Sequence, residues 1–119
     1  MEQITILVRY KIKKKKLDKA TSVILEYVET IKKNESGTIE YKVFQDKNNP
    51  TLFIHVMSFV DKAAQKTHEK SEHLKKLKKI LIPISKGKAV YTSMMAMQPD
   101  VLQEKIEEIK NNISSHEPV

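Results

Sequence analysis

The chain has 119 residues and a mass of 13.8 kDa, enough for one domain that buries roughly two thirds of its unfolded surface in a single core. It contains no cysteine, which excludes disulfides, thiolate metal sites and cysteine nucleophiles and fits a reducing compartment. The net charge of +7 comes from 22 basic residues, of which only Arg9 is an arginine; base readout and phosphate clamps favour arginine, so no nucleic-acid partner is expected.

Ile4, Ile6, Val8, Tyr10 and Ile12 alternate with Thr5, Leu7, Arg9 and Lys11, which predicts a strand over 3–12. Its apolar run is short and closed by charge, so it reads as neither a signal peptide nor a membrane span, and the cytoplasm is the expected location. Leu17, Ala20, Ile24, Tyr27, Val28 and Ile31 recur at helical spacing and predict an amphipathic helix over 14–33. Asn34-Glu35-Ser36-Gly37 ends it, with Gly37 expected to supply a permissive turn. Thr38 to Gln45 and Thr51 to Val60 read as strands joined by the turn cluster Asp46 to Pro50, an antiparallel hairpin. Asp61 and Ser71 are expected N-caps of two helical pieces, the second carrying Leu74, Leu77 and Leu81 and closed by Pro83. Gly87 to Met97 reads as a fourth strand.

The order is β-α-β-β-α-β, the α+β ferredoxin-like arrangement, over a domain spanning 1–97. Residues 98–119 form a separate extension, in which Leu102, Ile106, Ile109 and Ile113 stripe one side of a helix opened by Pro99 and Asp100. That extension holds 2 basic and 5 acidic residues, net −3, against 20 and 10, net +10, in residues 1–97, so it is expected to dock on the basic body. The third and fourth predicted strands are apolar on both faces, whereas a sheet with one wet face should alternate. Helices supply one cover and a second copy of the sheet supplies the other, so a homodimer is expected.

The segment from Glu35 to Pro50, with Gly37, Thr38, Tyr41, Val43 and Asp46 in place, resembles the antibiotic biosynthesis monooxygenase family, whose hairpin reads E-P-G-T-L-x-Y-x-V-x-x-D-x-x-x-P. Phe53, Phe59, Asp61, Ala63, Ala64, His68, Ser71 and His73 continue the family's pattern in register, and the resemblance covers about residues 3–96. It implies a dimeric α+β barrel with a small-molecule pocket in each subunit. It also implies oxidation of a quinol or similar aromatic by molecular oxygen with no added cofactor. Two departures stand out. Met57 occupies a strand position where many members carry Glu, and the haem-degrading branch has a tryptophan where this chain has His68. Lys78 or Lys79 falls where that branch has its haem-ligating histidine, which argues against haem degradation.

His68 is the expected catalytic residue, because a neutral imidazole accepts a phenol proton near neutral pH. His55, His73, Met57, Phe59 and Tyr41 are the expected substrate-binding residues. His68 and His73 are five residues apart, about 140° around a continuous helix, and share a face only if the helix breaks near Ser71. Without helical i, i+4 spacing or an acidic ligand cluster nearby, no metal site is expected. Met57 favours the rival reading, a non-catalytic dimeric small-molecule-binding or stress-related protein of the same fold.

Overall fold

The computed structural model describes residues 3–95 together with 97, 109 and 110. The described chain runs β1 (Ile4–Lys11), α1 (Leu17–Asn34), β2 (Thr38–Gln45), β3 (Leu52–Phe59), α2 (Lys62–Glu69), α3 (Glu72–Leu81) and β4 (Val90–Met94). Short 3₁₀ turns at Lys14–Lys16 and Ile82–Ile84 lead into α1 and out of α3. The strands form one antiparallel sheet in the order β2-β3-β1-β4, the ferredoxin-like α+β fold. No described helix is long and apolar enough to cross a membrane.

Paired residues of antiparallel strands share a face, so the register sorts the sheet directly. Ile6, Tyr10, Tyr41, Phe53, Met57 and Phe59 point to the helices and are buried. Against them α1 lays Ala20, Ile24, Tyr27 and Ile31, and α3 lays Leu77 and Leu81, the apolar stripes of two amphipathic helices. On the opposite face Leu7, Ile54 and Val56 are half-buried, while Phe44, Val90 and Met94 are exposed. β4 runs Val90–Met94 against the 87–97 expected: before it, Lys86 N bonds the Lys11 carbonyl and Ser85 bridges Ile12, and after it β1 reaches only to Ile4. The expected helix of 98–119 lies outside the described residues except for Ile109 and Lys110, which are helical.

Two local features position the site. A bulge between Thr38 and Glu40 inserts an extra residue, so that Thr38 pairs with Phe59 and Tyr41 with Met57. Three residues apart on a regular strand, Thr38 and Tyr41 would face opposite ways; the bulge turns both toward the helices. Gly37 plays a different part from the one expected. Its φ is not left-handed, and among the described residues only Gly87 has a positive φ, of 83°. What requires glycine at 37 is close approach: a Cβ there would lie 2.6 Å from Ala64 Cβ. Gly37→Ala should therefore push α2 off β2 and cost about 1–3 kcal/mol in chemical denaturation, as overpacking does. Ala64→Gly in the same chain should recover part of that loss, and a purely additive double mutant would refute the contact.

Candidate functional site

A cavity of about 450 Å³ lies between the helix-facing side of β1 and β3 and the α3 end of the helical layer. Its walls are mostly apolar, from Ile6, Met57, Phe59, Leu77 and Leu81, and its polar lining includes Tyr10, Tyr41, His55 and His68. Its mouth carries Lys78, Lys88 and Tyr91. Of the residues expected to bind substrate, His55, Met57, Phe59 and Tyr41 thus line one cavity with His68. His73 does not; it borders a second cavity of about 190 Å³ beside Tyr27 and Thr30.

The polar residues form one connected row. Tyr10 Oη lies 2.6 Å from His55 Nε2, and Tyr41 Oη lies 2.7 Å from His55 Nδ1. Tyr41 Oη donates to Tyr27 Oη at 3.4 Å, and Tyr27 Oη is 3.2 Å from His68 Nε2. His68 Nδ1 is 2.9 Å from both oxygens of Glu35, which also accepts from Thr38 Oγ1 at 2.6 Å and from His73 Nε2. No buried side-chain nitrogen or oxygen among the described residues lacks a partner.

The direction of the row follows from its end. Burial alone would raise the Glu35 carboxyl, but hydrogen bonds from Thr38, His68 and His73 outweigh it and hold it below the ordinary range. An ionised carboxylate only accepts, so His68 Nδ1–H must donate to it. When that is the ring's one hydrogen, His68 Nε2 accepts from Tyr27, Tyr27 accepts from Tyr41, and Tyr41 accepts from His55 Nδ1–H. His55 Nε2 is left to accept from Tyr10. Burial pushes the His55 imidazole down to about 4, aided by the charge His68 carries when protonated, so His55 is neutral as the row requires. Burial likewise holds the Tyr10, Tyr27 and Tyr41 hydroxyls well above the ordinary tyrosine range, so they pass protons along rather than lose them.

The histidines meet because the helix breaks. α2 ends at Glu69 and α3 begins at Glu72. Ser71 ties the two pieces together, donating from Oγ to the His68 carbonyl at 2.7 Å and accepting from Leu74 N at 3.3 Å. The turn overcomes the 140° offset of a continuous helix and brings both rings onto Glu35. Glu35 is the residue that spacing did not reveal. It lies at the C-terminal end of α1, where it reads as a helix stop, and its only sequence signal is its place as first residue of the hairpin motif. The expectation of no acidic ligand beside the histidines is therefore corrected: Glu35, His68 and His73 present ligand atoms that all lie within 4.8 Å of one another.

The sequence profile of the antibiotic biosynthesis monooxygenase family matches residues 3–79. The fold is similar to that of a crystallised antibiotic biosynthesis monooxygenase at 22% identity and TM-score 0.74, covering 80% of this chain and 99% of that one. It is also similar to a candidate antibiotic biosynthesis monooxygenase from Caulobacter crescentus CB15, at 20% identity and TM-score 0.77 over 82% and 92% of the two chains. A conserved protein from Methanosarcina mazei Go1 aligns at 20% identity and TM-score 0.73 over 80% and 93%. Among curated proteins none matches.

His55 makes the fold acid-sensitive. The unfolded chain takes up a proton near pH 6.5 and the folded one only near 4, so the unfolded state binds more protons between those values. This contribution to stability is complete above about pH 6.5 and is lost as pH falls toward 4, by up to ~1.4 kcal/mol per unit. Glu35, shifted down, adds a loss at lower pH still. Urea melts at pH 7 and 5 should show a smaller loss for His55→Gln than for the parent; parallel losses would show that His55 does not stay neutral.

Proposed function

The chain belongs to the antibiotic biosynthesis monooxygenase family, and on that premise we propose that it oxidises a quinol or similar aromatic small molecule with molecular oxygen in the 450 Å³ cavity. The observation that carries the reading is the row of hydrogen bonds that joins the cavity's polar wall to an ionised, buried carboxylate. His68 is the catalytic base in this reading. Its Nε2 is held by Tyr27, so it takes the phenolic proton by relay through the Tyr41 and Tyr27 hydroxyls, and Glu35 on its far nitrogen steadies the imidazolium that forms. Tyr41 and His55 orient the ring, while Met57 and Phe59 supply apolar walls that exclude water. The resulting phenolate is electron-rich enough to reduce oxygen itself. One oxygen atom enters the ring to give a hydroxyquinone, the other leaves as water, and the quinol supplies the electrons, so the balance needs no added cofactor.

Oxygen uptake with a panel of quinols tests this. The parent should turn over at least one, and His68→Ala should lower the rate by about 10²-fold or more, the usual weight of a general base. Equal rates would remove His68 from catalysis. No uptake by the parent would favour the non-catalytic binding reading.

We also propose that the working unit is a cytoplasmic homodimer joined through the sheet face opposite the helices. Phe44, Val90 and Met94 are exposed there beside half-buried Leu7, Ile54 and Val56, an apolar surface that a second sheet would cover. Light scattering at micromolar concentration should give twice the 13.8 kDa chain mass, and Val90→Lys should shift it toward the monomer. A parent that scatters as a single chain would overturn the dimer.

A further inference from the structure

We propose that Glu35, His68 and His73 form a binding site for a divalent first-row transition ion of the zinc or ferrous type. Two imidazoles and one carboxylate are the donor set such ions take, whereas calcium and magnesium prefer oxygen ligands throughout. Ligands about 2.1 Å from one ion lie roughly 3.0–3.4 Å apart when they meet at right or tetrahedral angles. His68 Nδ1 stands 2.9 Å from the Glu35 oxygens, and all three ligand atoms lie within 4.8 Å of one another.

The surroundings of Glu35 point the same way. Its side chain is only 5% exposed, and in a chain with 22 lysines and arginines its ion-pair partners among the described residues are the two histidines alone. Buried carboxylates are normally paired with a cationic side chain or bound to metal, and a divalent ion would stand where no described lysine or arginine reaches. The outer shell is also in place. Thr38 Oγ1 fixes Glu35, and Tyr27 Oη fixes His68 through Nε2, the nitrogen an ion on Nδ1 leaves free. The way in is the second cavity, since His73, 21% exposed, lines it. An ion on Nδ1 leaves the one ring hydrogen of His68 on Nε2, where it donates to Tyr27, so the ion-loaded chain cannot use His68 as a base and the proposed oxidation belongs to the ion-free state.

Zinc and cobalt chlorides, titrated separately into the chelator-stripped full-length chain, test the site. One equivalent per chain should bind, raising the melting temperature and, with cobalt, giving the visible absorption of a nitrogen- and oxygen-ligated ion. Glu35→Gln and His73→Gln should each weaken zinc binding at least tenfold, and Thr38→Val should weaken it less. His73 is partly exposed, so its variant is expected to keep the parent's circular dichroism and to remain informative if Glu35→Gln does not fold. Absence of binding by the parent at millimolar ion, or equal binding by His73→Gln, would overturn the proposal.

Discussion

A carboxylate buried at the end of a helix organises this molecule. Glu35 sits where α1 stops, and every neighbouring element sends it a donor: Thr38 from β2, His68 from α2 and His73 from α3. Leaving an ionised group out of water without such donors would cost several kcal/mol. The bulge in β2, the break at Ser71 and the close seat of Gly37 on Ala64 all bring those donors within reach. Three irregularities that look local thus answer to a single electrostatic requirement.

The same requirement accounts for what the sequence disclosed and what it hid. Regular elements are legible because burial imposes a period: Ala20, Ile24, Tyr27 and Ile31 announce α1, and alternating Phe53, His55, Met57 and Phe59 announce β3. Caps are legible for a related reason, since Asp61 and Ser71 each accept from the backbone nitrogen three residues on. Periodicity says nothing about a group whose role is set by partners far along the chain. Glu35 meets His68 across 33 positions and His73 across 38, so neither the spacing of the histidines nor the missing strand carboxylate at Met57 could indicate it. Gly37 was legible as a glycine that matters, while its reason, a helix resting on it, is a tertiary fact.

β3 carries the pairing on both sides, with β2 and β1 as neighbours, and its inward residues supply His55, Met57 and Phe59 to the cavity. The most constrained strand therefore holds the groups whose positions most need fixing. The opposite end of the sheet is less constrained: β4 is exposed along its length in the single chain and borders the cavity's mouth through Tyr91. Rigidity and access are thereby assigned to opposite sides of one sheet.

The row from Tyr10 to Glu35 has a collective property that no single bond in it possesses. Each of the four links from Tyr10 to His68 holds one hydrogen, so these four all point one way or all point the other, apart from a fault where two meet or two are absent. Whatever fixes the hydrogen at one terminus selects the orientation at the other. Tyr10, on the cavity side, gives its hydrogen to His55 while Glu35 draws hydrogens toward itself. With His68 Nδ1 relieved of its hydrogen, the row runs backward and the Tyr10 hydroxyl turns free to greet a guest. The molecule thus holds, in four hydrogens, a two-valued polarity spanning its interior, written at the carboxylate and read at the cavity.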